Sequence, residues 1–472
     1  MIISVDLITS NIWTVILITI PILYFIYYRK FRIFIYDQPK KVTKGKIARG
    51  KCPPSYPNGK FSSSSIVGLA NKKFLYHLGW FWLIDSCNLA PGGVRFINHC
   101  GRDVVVFRGH NGKPYVLEAY CAHMGGNLGV GGRVRDINCI ECPFHGWVYD
   151  GETGTCVFSD GENRIPRRVD TFEYADLERC TPCSSANSKS TEYLQKIAEN
   201  QEIKLKTYEC RELNGSIFAW YHADENLRHK PLYELIDIQD EITRNTMEVR
   251  GESINYVNCH VQEIPENGSD VRHFDFLHES ILDSISFVKF KWTPSAERAT
   301  NPDLRQIMAH SNPSAHAYKM HLFDKFLTED NVRYINVICL DCSIRFFDKY
   351  EIFLFNTTGF QIGPSIVYLF LWSPYFKLTL FHTLTPLEKF HQRVVHRIIT
   401  STWMPYWLSA AMLMGEVKQL YADMKIWNKK IFTEKLNYNT KNYADKCLHS
   451  YRNWYAQFYE GCYEREAKSL SW

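Results

Sequence analysis

Two short clusters constrain this chain more than any other feature. Cys121-Ala-His123-Met-Gly-Gly-Asn-Leu128 and Cys142-Pro-Phe-His145-Gly-Trp147 spell C-x-H, eighteen intervening residues, then C-x-x-H. Two thiolates and two imidazoles in this mixed order suit a [2Fe–2S] cluster, with both thiolates on one iron and both imidazoles on the other. Neutral imidazoles in place of anionic thiolates raise the reduction potential of such a cluster. Gly125 and Gly146 stand beside the histidines, where each loop must bend tightly. The competing reading is a structural zinc site, since Cys2His2 also suits zinc. Zinc fingers place the cysteine pair first and the histidine pair on a helix. Here each half mixes one Cys with one His among glycine and proline.

These residues resemble the Rieske iron–sulfur motif, and the C-P-F-H-G-W half matches it closely. The gap between the halves is slightly longer than in most members and implies a small loop insertion. The resemblance assigns Cys121, His123, Cys142 and His145 to the cluster.

A chain of 472 residues is long enough for two or three domains. Aromatic residues at 15% are abundant, which suits an apolar pocket or a membrane-facing surface. A net charge of +5 spread along the chain gives no nucleic-acid signature. The pairs Cys180-Thr-Pro-Cys183 and Cys339-Leu-Asp-Cys342 are read as ordinary thiols in a reducing compartment rather than as a ribbon or redox pair.

Residues 7–28 are largely apolar, and about 20 such residues span a bilayer as a helix. Arg29, Lys30, Arg32, Lys40, Lys41, Lys44 and Lys46 follow, whereas only Asp6 is charged before. That asymmetry predicts a retained anchor with the body in the cytosol. The sequons at Asn214, Asn267 and Asn356 agree, because one lies inside the second metal motif described next. The expected localisation is a single-pass membrane protein of the endoplasmic reticulum, facing the cytosol. Residues 37–65, rich in Lys, Pro, Gly and Ser, read as a linker.

From Leu78 the pattern is β, with short strands at Val94–Asn98, Asp103–Phe107 and Tyr115–Ala119 and a hairpin signal at Asn111-Gly112. Ile203–Tyr208 and Ser216–Tyr221 are expected to close this small domain, and the polar stretch 184–202 is an excursion from it. A second domain follows, with strands at Met247–Asn258, Phe287–Trp292, Tyr334–Leu340, Ser343–Phe355, Ser365–Trp372 and Lys377–Thr385. A helix is expected over Met404–Phe432. The fold class is therefore α+β: an N-terminal transmembrane helix, an all-β Rieske domain, and a helix-grip-like α+β catalytic domain with mononuclear iron. The boundaries are 1–36 for the anchor, 37–77 for the linker, 78–222 for the Rieske domain, 223–440 for the catalytic domain and 441–472 for a tail.

The second metal motif is Glu266-Asn267-Gly-Ser-Asp270-Val-Arg-His273-Phe-Asp-Phe-Leu-His278. Two histidines and one carboxylate on one face hold non-haem iron and leave positions open for O2. Asp270 and His273 are expected on one helix face. His273 and His278 would stand about 140° apart on an ideal helix, so the helix must break between them. Alone, such a histidine pair is more often buried and hydrogen-bonded. Downstream of the cluster motif, N-x-x-D-x-x-H-x-x-x-x-H resembles the Rieske non-haem iron oxygenases. That resemblance makes His273 and His278 iron ligands and Asp270 the link to the cluster of a neighbouring subunit. Gln419-Leu-Tyr-Ala-Asp423-Met-Lys-Ile-Trp427 resembles the segment carrying the third ligand, Asp423, with Glu416 in reserve and a solvated surface acid as the plain alternative.

No Gly-rich dinucleotide fingerprint sits on a strand–helix unit, so electrons from NAD(P)H must arrive through a separate reductase or ferredoxin. The anchor, the Pro-Pro-Ser-Tyr-Pro-Asn-Gly entry and both motifs together resemble the Neverland-type cholesterol 7-desaturases. The catalytic half also resembles bacterial 3-ketosteroid 9α-hydroxylase oxygenases. The resemblance implies a sterol substrate, O2, conversion of cholesterol to 7-dehydrocholesterol and a homotrimer, with no nucleic-acid partner. Hydroxylation of another steroid or lipid is the alternative, because the ligands alone do not separate it from desaturation. A respiratory Rieske electron carrier would hold one further Cys in each motif half, where this chain has Gly126 and Phe144.

Overall fold

The computed structural model describes residues 76–158, 203–278, 288–297, 313–347, 349–388, 391–429, 437, 439 and 442–459. The expected anchor, nearly all of the linker, the 184–202 excursion and the Cys180–Cys183 pair lie outside these residues. Among the described residues no helix is long and apolar enough to cross a membrane.

The N-terminal part is built from three small antiparallel sheets. β1 (Gly79–Asp85) pairs with β10 (Ser216–Tyr221), which pairs with β9 (Cys210–Leu213). β2 (Val94–His99), β3 (Arg102–Arg108) and β4 (Pro114–Glu118) form a meander, with Gly112 at φ +79° in the expected hairpin turn. β5 (Arg133–Arg135), β6 (Cys139–Glu141), β7 (Val148–Asp150) and β8 (Cys156–Phe158) form the third sheet. The expected strand at Ile203–Tyr208 is not formed. This segment makes only isolated bridges, Lys204 to Thr155 and Thr207 to Leu117, and the strand that pairs with β10 begins at Cys210.

The C-terminal part is one seven-stranded antiparallel sheet in the order β11-β17-β16-β15-β14-β13-β12. Its strands are β11 (Met247–Val257), β12 (Val288–Glu297), β13 (Ile335–Phe346), β14 (Tyr350–Ile362), β15 (Ile366–Trp372), β16 (Lys377–Glu388) and β17 (His391–Ser401). The expected strand Ser343–Phe355 straddles the β13–β14 turn, where Phe347 takes a left-handed φ of 51°. The sequence reading lacked β17, whose apolar pairs Val394-Val395 and Ile398-Ile399 are split by His396-Arg397. Asn356, one of the sequons, is buried in β14.

Six α-helices among the described residues accompany the strands: α1 (Gln239–Arg244), α2 (Glu263–Glu266), α3 (Val271–Leu277), α4 (Pro313–Phe326), α5 (Tyr406–Trp427) and α6 (Tyr443–Tyr455). α5 packs on β11 and β17 and buries Ser409, Leu413, Val417, Leu420, Asp423, Met424 and Trp427, a stripe at three- and four-residue spacing. Asn442 caps α6, its side chain accepting from the Ala444 amide.

Within the expected tail, residues 442–459 are packed rather than loose. Tyr451, Trp454, Tyr455, Phe458 and Tyr459 enter a core that also holds Trp80 and Trp220 from β1 and β10 and Phe360, Tyr368 and Phe381 from the large sheet. Arg452 of α6 clamps Glu266 with two hydrogen bonds of 2.9 and 2.5 Å. The last helix thereby holds the short stretch that leads into Asp270.

Candidate metal sites

The cluster motif folds into two matching loops. The first leaves β4, and the second joins β6 to β7. In each, the cysteine carbonyl accepts from the glycine amide four residues on, Gly125 at 2.9 Å and Gly146 at 3.1 Å. In each, the cysteine amide donates to the carbonyl five residues on, Gly126 at 2.9 Å and Trp147 at 2.7 Å. Gly125 and Gly146 take φ of +70° and +80°, a region open to glycine at no steric cost. Sequence spacing alone had placed these bends.

The loops divide their donors by depth. Cys121 and Cys142 are buried and share one apolar cluster. His123 and His145 are exposed, with ring centroids 4.7 Å apart, and His123 stacks on Trp147 at 4.6 Å. A Cβ at Gly126 would stand 3.0 Å from the Cys142 sulfur and 3.2 Å from the Phe144 Cβ. The space beside the thiols is thus kept clear of side chain. Paired inner thiols and outer imidazoles fit a [2Fe–2S] group bound by four protein ligands. Gly126 and Phe144 do face each other, and neither is a cysteine, so the cross-cluster disulfide of a respiratory carrier has no partners here.

Sequence reading missed Tyr149. Its hydroxyl lies 3.0 Å from the Cys121 sulfur and accepts from the Ala122 amide at 3.1 Å. It sits on β7, two residues past Trp147, so only the strand register brings it back to the first loop.

The second motif breaks where the angle argument requires. α3 ends at Leu277, and His278 follows at φ −116° and ψ 17°. Asp270 precedes the helix, with φ −89° and ψ 81°, rather than sharing a helical face with His273. Its backbone carbonyl accepts a hydrogen bond from His273 Nδ1. That fixes the tautomer and frees Nε2 as a donor to metal. Burial lowers the His273 pKa and keeps the ring neutral. The His273 and His278 rings stand 5.0 Å apart at 84°, so their in-plane lone pairs can converge. Asp423 reaches them from α5, with Oδ1 3.2 Å from His278 Nε2. One donor atom from each of the three lies within 4.8 Å of the other two. Asp423 is only 8% exposed, which rules out a solvated surface acid. Two imidazoles and one buried carboxylate fit a divalent iron with open positions.

Glu416, the reserve ligand, belongs to a different group. It stands with His382 of β16 and His396 of β17. The two histidines pair directly across the strands, a relation invisible without the register and without β17. The Cys339–Cys342 pair lies along β13, three residues apart and so on opposite faces, and does not chelate.

A chain that builds both donor sets in succession is, by its architecture, a Rieske non-haem iron oxygenase. The model of the Rieske [2Fe-2S] domain matches residues 79–173, and that of the 3-ketosteroid 9alpha-hydroxylase C-terminal domain matches residues 219–459. The cholesterol 7-desaturase nvd 1 of Ciona intestinalis is 33% identical over 381 residues, covering 81% of this chain and 68% of that protein. The cholesterol 7-desaturase nvd of Drosophila melanogaster is 29% identical over 440 residues, covering 92% and 83%. The crystal structure of dicamba monooxygenase bound to dicamba shares the fold, at a TM-score of 0.51 and 10% identity, covering 82% of this chain and 98% of that one. The chain belongs to the cholesterol 7-desaturase family. It is an oxidoreductase with a Rieske cluster and a mononuclear iron, and its electrons come from a separate reductase.

Proposed function

We propose that this chain desaturates a sterol, converting cholesterol to 7-dehydrocholesterol with O2 and electrons drawn from NAD(P)H. The reaction balances as cholesterol, O2, NAD(P)H and one proton giving 7-dehydrocholesterol, NAD(P)+ and two waters. The observation that carries this reading is the 33% identity to a cholesterol 7-desaturase across both metal motifs.

In this reading Cys121, His123, Cys142 and His145 hold the cluster, and His273, His278 and Asp423 hold the iron. When bound, the two groups supply one-electron transfer and the reductive activation of O2. The chain's own residues do the rest. The Asp270 carbonyl holds the His273 ring in one tautomer. Trp292 donates from its indole nitrogen to the His278 carbonyl at 3.4 Å and packs on Phe274 at 5.3 Å. Trp292 also packs against a buried apolar cluster that holds Phe355, Leu378, Leu380, Ile398 and Leu413. This closed cluster excludes water from the side of the site that Trp292 covers, and such an apolar border suits a fused hydrocarbon ring system. The Asp270 side chain is assigned to electron passage from the cluster of a neighbouring subunit in a homotrimer. The apolar segment at 7–28 is assigned as the anchor that draws substrate from the endoplasmic-reticulum bilayer, with the body in the cytosol.

The match to the 3-ketosteroid 9alpha-hydroxylase C-terminal domain favours a second reading, hydroxylation of a steroid. Mass analysis of sterols from cells expressing the chain and fed cholesterol separates the two. A product lighter by two hydrogens is expected. A product heavier by one oxygen supports hydroxylation, and unchanged cholesterol overturns the substrate.

A further inference from the structure

Along α5, side chains meet the large sheet in successive rungs. Ser409 bonds Thr400 at 3.0 Å, Leu413 packs with Leu380 and Ile398, and Leu420 packs with Leu384 and Val394. Between the two leucine rungs lies a polar one. Glu416 faces His382 and His396, which are cross-strand partners on the same sheet face as the leucines. Glu416 Oε1 stands 3.5 Å from His382 Nε2 and 4.0 Å from His396 Nδ1. Both nitrogens are buried and, among the described residues, have no hydrogen-bond partner. Buried polar atoms are nearly always satisfied, so a pair left open inside an apolar interface calls for a function.

A second metal is the first candidate, and ring geometry argues against it. The His382 and His396 rings stack at 4.0 Å with only 22° between planes. Imidazole lone pairs lie in the ring plane, so these two run nearly parallel and do not meet at one ion. The rings of His273 and His278, at 84°, do the opposite. Burial lowers the pKa of both His382 and His396, so each ring stays neutral. Glu416 is pushed up to about 7 by burial, yet 22% of its side chain is accessible. His382 keeps 16% of its side chain accessible as well, so the rung is open on its Glu416–His382 side. The rung offers donors and acceptors without a fixed charge, which suits a neutral alcohol better than an anion or a cation.

We propose that Glu416, oriented by His382 and His396, is the polar anchor for the single hydroxyl of the substrate. Glu416 lies two helical turns before Asp423, about 10 Å along α5. A fused-ring alcohol held by its hydroxyl at Glu416 and directed toward Asp423 presents its second ring to the iron ligands. This inference rests on the sterol reading and adds where and how the molecule is gripped.

The test is binding without turnover. The full chain, carrying both metal groups, is titrated under anaerobic conditions without reductase. Displacement of a fluorescent sterol is followed with cholesterol and with cholest-5-ene, its analogue lacking the hydroxyl. The wild type is expected to favour cholesterol by about tenfold or more, since a site built to pair a hydroxyl penalises its absence. Glu416→Leu is expected to lose that preference by weakening cholesterol alone, with the cluster's visible spectrum unchanged, and Glu416→Gln to keep part of it. Equal binding of the two sterols by the wild type overturns the anchor and needs no variant to fold. A preference that survives in Glu416→Leu overturns it too, as does a further metal ion that this variant loses. Displacement by neither sterol overturns the sterol reading itself.

Discussion

His278 Nε2 stands 3.2 Å from Asp423 Oδ1, although the two residues come from a helix end and a distant helix interior. Three features bring them together: the termination of α3 at Leu277, the burial of Asp423 in the α5 stripe, and the packing of α5 on β11 and β17. Without a cation, a buried carboxylate facing two imidazoles is poorly compensated. The arrangement accounts for itself as a metal site. Asp423→Ala is expected to remove one iron atom per chain while the cluster spectrum persists. Turnover should fall by more than the roughly 10–100-fold typical of losing an outer-sphere partner. Iron analysis beside visible absorption checks this. Full iron content in the variant would remove Asp423 from the ligand set.

Tyr149 predicts a change in the cluster's poise rather than in its assembly. With Cys121 ligated as a thiolate, the Tyr149 hydroxyl at 3.0 Å becomes the donor, and hydrogen bonds to cluster sulfurs raise the potential. Tyr149→Phe is expected to assemble the cluster and lower its reduction potential. Redox titration followed by visible absorption reads the shift. A potential equal to wild type would show that the hydroxyl does not bond the ligated sulfur.

Local chemistry made the metal ligands legible in the sequence, and long-range register hid the rest. Cys121 and His123 lie two residues apart in one loop, and the glycine that bends it is four residues from the cysteine, so a short window contains the whole device. His273 and His278 are likewise neighbours, and the break between them followed from helix geometry alone. Tyr149, Trp292 and the His382–His396 pair depend on which strand lies beside which. Glu416 shows the cost of that limit. Helical periodicity rightly placed it on the face of Asp423, but only the sheet opposite decides that it meets His382 and His396 instead of the iron ligands. The sequence reads 441–472 only as a tail, because its aromatic residues have no partner nearby in the chain. Their partners, among them Trp80, Trp220 and Phe360, are far away in sequence.

Arg452 and Glu266 tie α6 to the second metal motif. Their two hydrogen bonds of 2.9 and 2.5 Å are largely shielded, with side chains 13% and 11% exposed. Removing one partner of such a pair leaves an uncompensated charge and costs about 3 kcal/mol. Arg452→Ala is expected to lower the denaturant midpoint accordingly and to reduce iron retention, because Glu266 leads into the turn before Asp270. Glu266→Gln with Arg452→Gln should recover part of the loss. An unchanged midpoint in Arg452→Ala would show that the clamp contributes little to holding α6.

His77 yields a prediction about acid stability. Its Nε2 lies 2.6 Å from the Tyr459 hydroxyl and 3.3 Å from that of Tyr455, and burial lowers its pKa to about 3. The unfolded chain takes up a proton at this residue near pH 6.5, and the folded chain does not. Between pH 6.5 and about 3 the unfolded state therefore binds more protons, and stability falls as pH falls, by about 1.4 kcal/mol per unit for this group. Above pH 6.5 the contribution is complete. Glu252 and Glu416, whose carboxyls burial raises to about 7, act with the opposite sign as pH falls from 7. The informative quantity is thus the difference between wild type and His77→Gln, not either curve alone. The wild type is expected to be more stable at pH 7.5, because it keeps the His77–Tyr459 hydrogen bond. That advantage should shrink steadily from pH 6.5 to 4.5. Urea unfolding at four pH values across this range measures it, and an advantage independent of pH would show that His77 is protonated in the folded core.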